Sequence, residues 1–415
     1  MLIGHVLPST LVGSYDGHPI ILTADFFAEV DKWGRRMRIS KFAYLLTFLL
    51  LSPLTLASSD YNMRKGVTDV SHSVYELHMT IFLICCVIGL IVFSVMFWAL
   101  IKHRKSKGAV AAQFHESTKV EIVWTAIPFL ILVIMAIPAT KTLIAMEDTS
   151  KADITIKVTG SQWKWHYEYL GHDVDFFSVL STPLSQVNNE EEKTETYLLD
   201  VDKPLVIPTN KKVRFLMTSD DVIHSWWVPD FAVKKDANPG FINEAWTKVN
   251  EEGIYRGQCA ELCGKDHGFM PVVVEAVSPD KFEQWLTEQQ LAKTEAAKEA
   301  EALLSQTLSK EELMTEGQAV YMGYCAACHQ PTGLGLPGVF PGLKDNAVVK
   351  GDLDEHIDVL LNGRPGTAMQ AFAKQLSVKQ IAAVITYKRN SWGNDTGEVI
   401  QPSQVQAFID KTSGE

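Results

Sequence analysis

The stretch CAELCGKDHGFM, residues 259–270, brings together two thiols, an imidazole and a thioether. These soft and borderline ligands suit copper, whereas magnesium and calcium prefer oxygen ligands. The four side chains also follow the spacing of an amphipathic helix. However, Gly257, Gly264 and Gly268 run through the same region, and each would weaken a helix by roughly 1 kcal/mol relative to alanine. The stretch is therefore predicted to form a copper-binding loop.

Two other interpretations fit the same residue types. Zinc binds cysteine and histidine readily, although zinc sites seldom use a methionine such as Met270. Two cysteines outside the cytoplasm can also form a disulfide. His224, in the upstream stretch HSWWVP (residues 224–229), adds a second imidazole, which is a ligand that copper accepts.

Together, the two stretches resemble the dinuclear CuA site of cytochrome c oxidase subunit II. In that family two bridging thiolates, two histidines, a methionine and one backbone carbonyl hold two copper ions. The resemblance implies these ligands: His224, Cys259, Glu261 through its carbonyl oxygen, Cys263, His267 and Met270. It also implies that the Glu261 carboxylate binds a magnesium ion at the border with subunit I.

Residues 150–280 alternate short runs rich in Val, Ile and Thr with Gly, Pro, Asn and Asp. Predicted strands include 154–158, 205–207, 213–218 and 271–277. Short strands at this spacing indicate an antiparallel sandwich or barrel. Together with the copper motif, they predict an all-β, cupredoxin-like barrel.

The aromatic stretch GSQWKWHYEY, residues 160–169, begins this domain. Packing in a half-buried strand would explain its rings. It also resembles the stretch that supplies the surface tryptophan through which electrons reach CuA, which would be Trp163. Ser161 and Lys164 depart from that pattern. A lysine there disfavours direct docking of a basic soluble cytochrome c.

Residues 58–148 are predicted to form a transmembrane α-helical hairpin, with spans at about 79–101 and 122–144. The basic loop KHRKSK, residues 102–107, is predicted to be cytoplasmic. Both metal-binding domains would then lie on the periplasmic side of a bacterial inner membrane, as parts of a two-pass protein.

Glu121 opens the second span and has two explanations. The stretch TKVE, residues 118–121, has the pattern of a capping box. The resemblance instead places this glutamate at the cytoplasmic mouth of a proton path in the partner subunit, a role that suits an ionisable group at a membrane boundary.

The region before the hairpin looks like a processing segment. Residues 37–57 have a basic start, an apolar run and a small-residue end, as in a secretory signal peptide. Residues 1–36 are then a mis-annotated start or an uncharacterised extension, and a real extension ending in a short membrane segment is the alternative.

The stretch CAACH, residues 325–329, could be a thioredoxin-like redox pair or half of a zinc site, but histidine directly after the second cysteine is typical of covalent haem c attachment. The region 311–400 resembles an all-α class I cytochrome c, with Cys325 and Cys328 as thioether residues and His329 and Met369 as axial ligands.

Capping boxes are predicted at Ser309 and Ser377. Residues 281–310 would be a helical linker that separates the two redox domains, and 401–415 a tail.

The formal charge of -11 argues against a nucleic-acid partner.

The whole pattern resembles subunit II of a caa-type haem-copper oxidase, with subunits I and III, a c-type cytochrome donor and membrane lipid as partners. Electrons would pass through haem c and CuA to the oxygen-reducing centre of subunit I, coupled to proton pumping. The chain itself would contain no oxygen-reducing site. The alternative is a membrane-tethered electron-transfer or copper-delivery protein that works without a catalytic partner.

Overall fold

The computed structural model describes residues 10–15, 18–23, 62–113 and 115–413. Strands β1 (Thr10–Tyr15) and β2 (His18–Thr23) pair as an antiparallel hairpin, so the first 36 residues contain an element that the sequence did not suggest. The described residues form two units, this hairpin and the part from Arg64 onward. The predicted signal peptide, residues 37–57, lies outside the described residues.

Two long helices follow, α1 (Asp69–Lys102) and α2 (Thr118–Glu147), and both are long and apolar enough to cross a membrane. The predicted spans lie inside them. Large apolar side chains are exposed on both helices, which is expected when lipid is the surrounding solvent.

The predicted capping box at the start of α2 is wrong. The helix begins at Thr118, so Ser117 is its N-cap residue, and Ser117 makes no side-chain capping bond. A capping glutamate must stand three residues after the N-cap. Glu121 stands four residues after it and lies on the helix with its side chain exposed.

The second domain, here called the sandwich domain (154–277), consists of two five-stranded sheets with the orders β10-β7-β3-β4-β5 and β6-β12-β11-β8-β9. Its strands are β3 (Ile154–Ser161), β4 (Lys164–Tyr169), β5 (Val174–Ser178), β6 (Leu205–Pro208), β7 (Val213–Ser219), β8 (His224–Val228), β9 (Val233–Ala237), β10 (Asn243–Thr247), β11 (Gly253–Cys259) and β12 (Pro271–Val277), and a short helix, α3 (Leu184–Val187), joins β5 to β6. The predicted all-β, cupredoxin-like domain is confirmed. The expectation of purely antiparallel sheets is wrong, because β3 pairs parallel to β7 and β6 parallel to β12.

Alternation of side chains along the strands builds the core of the sandwich domain. In β7, Val213, Phe215 and Met217 are fully buried while the residues between them are only partly buried, as the two-residue period of a strand requires. Phe215 packs on Trp226 of the other sheet with a ring-centroid distance of 4.9 Å. The two sheets therefore share one apolar interior.

Helix α4 (Pro279–Leu304) follows directly and is capped by the Ser278 hydroxyl. Phe282 and Leu286 on its first turns are buried in the core of the sandwich domain. The predicted linker 281–310 is helical over most of its length, but its beginning is part of the sandwich domain. The expectation that it separates the two redox domains is wrong, since those domains are in contact, as described below.

The last region, here called the helical domain (310–413), contains α5 (Lys310–Val320), a π-helical turn (Tyr321–Cys325), α6 (Ala326–His329), α7 (Ala347–Lys350), α8 (Leu353–Asn362), α9 (Val378–Arg389) and α10 (Pro402–Ser413). The capping boxes at Ser309 and Ser377 are confirmed. Helices α5 and α9 cross so closely that a Cβ atom on Gly317 would lie 2.2 Å from the Ala383 carbonyl oxygen. Residues 401–415 were expected to be a tail, yet Pro402–Ser413 form α10.

Helix α10 belongs to the helical domain because one of its faces is apolar. Val405 is fully buried and Phe408 nearly so, and both lie in the same core as α8 and α9. The domain therefore continues past the predicted boundary at residue 400. Because the outer face of this short helix is strongly polar, its sequence gave little indication that the helix packs against α8 and α9.

Candidate copper and haem sites

The copper-type residues meet at one end of the second sheet of the sandwich domain. His224 begins β8, Cys259 ends β11, and Met270 directly precedes β12. The pairing of β11 with both neighbours fixes their relative positions, and the Cys259 N–H donates to the Met270 carbonyl at 3.2 Å. The chain between Cys259 and Met270 is a loop with a single 3-10 turn, His267–Phe269, so the prediction of a loop is confirmed.

All six predicted copper ligands lie in one cluster. Between the side chains, the separations are 3.9 Å for His224 Nδ1 to Cys259 Sγ, 3.9 Å for Cys259 Sγ to Cys263 Sγ, 3.4 Å for Cys263 Sγ to His267 Nδ1 and 3.5 Å for Cys263 Sγ to Met270 Sδ. The Cys259 Sγ atom lies 3.4 Å from the Glu261 carbonyl oxygen. Both cysteines are free thiols. The two sulfurs are thus central, with the other donors around them.

Asp221 orients the first histidine. Its carboxylate accepts a hydrogen bond from His224 Nε2 at 2.8 Å, which leaves Nδ1 to face the Cys259 sulfur. Burial opposes a charge on the fully buried His224, but the bonds to Asp221 and then to Cys259 raise the pKa of His224 to about 9. Carboxylate partners of this kind fix the tautomer and ring orientation of metal-binding histidines.

The paired thiols differ in acidity because each faces the other. The hydrogen bond from Cys263 lowers the pKa of Cys259 well below its ordinary value, although burial opposes the charge. The same contact, together with burial, raises the pKa of Cys263. The first thiolate therefore forms readily at neutral pH, and thiolate is the form that binds metals.

The copper-type loop is tied to β3 and β4 through the Cys263 carbonyl oxygen. Gln162 Nε2 donates to it at 2.8 Å, and the predicted electron-transfer residue Trp163 donates through Nε1 at 3.2 Å. Gly264, with φ of +117°, allows this approach, because a Cβ atom there would lie 2.8 Å from the Gln162 amide nitrogen. Gln162 N also donates to Asp221 at 2.7 Å, which links this corner to His224.

The donor set and its orientation fit copper. Two sulfurs, two imidazole nitrogens, a thioether and a carbonyl converge, and the group His224, Cys259 and Cys263 has ligand atoms within 4.8 Å of one another. Soft sulfur and imidazole donors favour copper. The Glu261 carboxylate, expected to bind magnesium, is exposed on the outside of this loop.

The haem-type residues line one cavity in the helical domain. Its volume is about 350 Å³, and Cys325, Cys328, His329 and Met369 all form part of its wall. His329 donates through Nδ1 to the Pro341 carbonyl at 2.9 Å, which leaves Nε2 for a metal. Most of the remaining wall is apolar: Val339, Phe340, Leu343, Val348, Val349, Val359, Leu360 and Phe372. The cavity therefore fits a haem attached through the two cysteines.

The two sites face each other across a contact between the domains. Gln370, next to Met369, donates through Nε2 to the Gln162 carbonyl oxygen at 2.8 Å. Lys164 is 7% exposed there, with its Nζ atom 5.7 Å from the ring centroids of Tyr324 and Phe372 of the helical domain. Burial lowers the pKa of Lys164 to about 8. Direct docking of a basic soluble cytochrome c beside Lys164 was expected to be disfavoured by its charge; in the structure the chain's own helical domain covers Lys164.

Several residues of this arrangement were missed in the sequence. Asp221 was missed, although its position three residues before a predicted ligand histidine could have suggested a partner. Gln162 and Gln370 gave no signal, because the contact joins positions that are 208 residues apart. His356 and Lys388, which line the haem-type cavity, were also missed.

Comparison with known proteins supports this division of the chain. The family profile described as Cytochrome C oxidase subunit II, transmembrane domain, matches residues 57–142, and that described as Cytochrome C oxidase subunit II, periplasmic domain, matches residues 154–277. The profile described as Cytochrome C oxidase, cbb3-type, subunit III, matches residues 312–387.

Individual relatives agree. Probable cytochrome c oxidase subunit 2 of Rickettsia bellii (strain RML369-C) is 40% identical over 247 residues, which cover 58% of this chain and 90% of the relative. Cytochrome c oxidase subunit 2 of Arabidopsis thaliana is 35% identical over 250 residues, 60% of this chain and 96% of the relative. The solved periplasmic domain of cytochrome oxidase subunit II from Bradyrhizobium japonicum is 40% identical and covers 35% of this chain and 98% of its own, with a TM-score of 0.31.

The fold and the sites define a membrane-anchored chain that combines a cupredoxin-like domain with a c-type cytochrome domain. The chain belongs to the cytochrome c oxidase subunit II family and carries a C-terminal cytochrome c domain. Membership of a haem-copper oxidase follows, and both domain types imply their metals, copper and haem.

Proposed function

We propose that this chain relays electrons from a c-type cytochrome, through haem c in the helical domain and CuA in the sandwich domain, to the oxygen-reducing centre of subunit I in a caa-type oxidase that pumps protons. Haem held by a histidine and a methionine, and copper held by thiolates, would supply reversible one-electron carriers when bound. The residues proposed to hold them are Cys325, Cys328, His329 and Met369 for haem, and His224, Cys259, Glu261, Cys263, His267 and Met270 for copper.

The proposal rests on a chain of hydrogen bonds that connects the haem-type cavity to the copper-type loop. Gln370, adjacent in sequence to Met369, bonds to the Gln162 carbonyl, and the Gln162 side chain bonds to the Cys263 carbonyl. Trp163 donates to the same Cys263 oxygen. This route supports direct transfer between the domains, and it favours Trp163 as the residue through which electrons reach the copper-type loop.

The fixed surroundings of the donors support the same role. His224 is held by Asp221, His329 by the Pro341 carbonyl, and Cys259 by the ladder of β11. Donors held rigidly by a second set of contacts limit the rearrangement that accompanies a change of oxidation state. A relay needs this property, whereas a copper-delivery protein must release its metal.

The remaining proposals concern where the parts of this chain lie in the assembled oxidase. We place the sandwich and helical domains on the periplasmic side of the bacterial inner membrane, with α1 and α2 against subunits I and III and lipid. The exposed Glu261 carboxylate is then available to a magnesium ion at the border with subunit I. Glu121, exposed on α2, is available to a proton path on the cytoplasmic side, since the structure gives it no capping role.

The test is metal and haem content, with visible and near-infrared spectra, of the full chain purified in detergent. The proposal predicts two coppers, one covalent haem and the absorption of a mixed-valence copper pair. Haem without copper would overturn it. Copurification with a large many-span subunit separates the oxidase role from a chain that works without a catalytic partner.

A further inference from the structure

One side chain in the haem-type cavity has no role in the proposed ligand set. His356 on α8 is 2% exposed and lines the cavity. Neither of its ring nitrogens has a hydrogen-bond partner among the residues that the structure describes. A buried polar group left unpaired costs about 1–3 kcal/mol, so this imidazole calls for a polar partner inside the cavity.

A second polar group lines the same cavity from the neighbouring helix. Lys388 on α9 is 4% exposed, and burial lowers its pKa to about 8. Burial, followed by the positive charges of Lys388 and Arg389, lowers the pKa of His356. His356 is therefore a neutral donor and Lys388 the charged one, and both line the same cavity.

Among the described residues, the rest of the cavity wall gives these donors no carboxylate to bind. No aspartate or glutamate is among the described residues that line it. Arg364 also lines it, but its guanidinium pairs with Glu355 at 3.0 Å on the exposed side. A buried ammonium is stable only when an anion compensates it. The cavity is thus built for a ligand that is mostly apolar and carries an anionic group.

A haem has this chemistry, since its only ionised groups are two propionate carboxylates on an otherwise apolar ring. We propose that His356 and Lys388 bind a propionate carboxylate of the haem inside the cavity, His356 by donating an N–H and Lys388 as the counter-ion. The inference rests on the proposed haem site. Charge-assisted bonds to a carboxylate are short and directional, so this pair would fix the tilt of the ring relative to His329 and Met369.

The experiment uses the full chain, matured with haem that carries ¹³C in its propionate carboxyl groups. Covalent haem content is measured first, because a wild-type chain without haem overturns the proposed function itself. Redox difference infrared spectra then identify the carboxylate bands by their isotope shift. His356→Phe and Lys388→Met are each expected to shift these bands, whereas Lys350→Met, which removes an exposed lysine paired with Asp345, is expected to leave them in place.

Haem-loaded variants with unshifted carboxylate bands would overturn the inference and leave the proposed function standing. Loss of the iron–sulfur charge-transfer band in His356→Phe, with the carboxylate bands unshifted, would also overturn it, because the residue would then act on the axial ligand.

If a variant binds no haem, a measurement on the wild-type chain tests the inference instead. Solid-state dipolar coupling between the ¹³C carboxyl and ¹⁵N-labelled histidine and lysine side chains should correspond to hydrogen-bond contact, about 2.7–3.2 Å between nitrogen and oxygen. Absence of coupling to both residue types would contradict the inference.

Discussion

The side-chain amide of Gln370, which follows the predicted axial ligand Met369, donates a hydrogen bond of 2.8 Å to the backbone carbonyl of Gln162 in the sandwich domain. The Gln162 side chain in turn holds the Cys263 carbonyl. One glutamine from each domain therefore connects the wall of the haem-type cavity to the loop that carries both copper-type thiols.

Replacing Gln370 by leucine keeps the size of the side chain and removes this contact. Loss of one hydrogen bond should weaken docking by about 1 kcal/mol, which corresponds to roughly a fivefold change in the ratio of docked to undocked chain. We expect electron transfer from haem to copper, measured after flash reduction of the haem, to slow severalfold with both potentials unchanged. Gln406→Leu, on the exposed face of α10, is the control, and an equal rate in both variants would contradict the role given to Gln370.

Trp163 is expected to carry the transfer itself. Trp163→Leu removes the ring and the bond to the Cys263 carbonyl oxygen without touching a metal ligand. The same flash experiment should show slower oxidation of the haem while copper content stays at the wild-type value. The matched variant is Trp246→Leu, whose indole bonds to the Ala145 carbonyl at the end of α2. Slowing by Trp246→Leu and not by Trp163→Leu would refute this assignment.

Asp221→Asn tests the support of the first histidine. Asparagine offers one uncharged acceptor oxygen, whereas the carboxylate accepts from His224 Nε2 through one oxygen and from Gln162 N through the other. Weakening such outer partners typically costs about 10–100-fold in metal affinity. Competition with a copper chelator measures this loss directly. Asp220→Asn changes the exposed neighbour and should bind copper like the wild type. Equal affinity for both variants would show that Asp221 does not orient the ligand.

The buried Lys164 makes the stability of the folded chain depend on pH. Its pKa in the folded chain is about 8, below the ordinary 10.5, mainly because of burial. Between these values the unfolded chain still holds the proton that the folded chain has lost, so stability rises with pH by roughly 1.4 kcal/mol per unit. Below about pH 8 the contribution is constant and unfavourable, because a charged amine is buried in the folded state.

The measurement compares denaturant unfolding of wild type and Lys164→Met from about pH 8 to about pH 10. Only the wild type should gain stability through Lys164, so the variant's profile should be flatter. Lys157→Met removes a half-exposed lysine of the same sheet and should keep the wild-type slope. Parallel profiles for wild type and Lys164→Met would mean that this amine is not buried in solution.

The members of the two clusters that stand within a single motif could be predicted from sequence because each motif is local. The spacing of Cys259, Cys263, His267 and Met270 needs only one loop between two strands, and CAACH needs only the end of one helix. Strand positions were also predictable, since apolar residues alternate along them. The two capping boxes in the helical domain follow from residues three positions apart.

What sequence could not provide are the contacts between distant segments. Lys164 looks like a surface residue until the helical domain covers it, and Gln370 looks like an ordinary loop residue. The helix α10 was taken for a tail because its apolar face has meaning only against α8 and α9. The start of α2 differs from the prediction by one residue, which was enough to remove the expected capping role of Glu121.

The central claim, that electrons pass from haem c to CuA within this one chain, is tested most directly by flash reduction of the haem in the full, metal-loaded chain. Absorbance of the haem and of the mixed-valence copper pair would be followed together. The account predicts that the haem is re-oxidised at the same rate as the copper band is lost, and that Cys263→Ser abolishes both changes. A haem that stays reduced beside oxidised copper in the wild-type chain would contradict it.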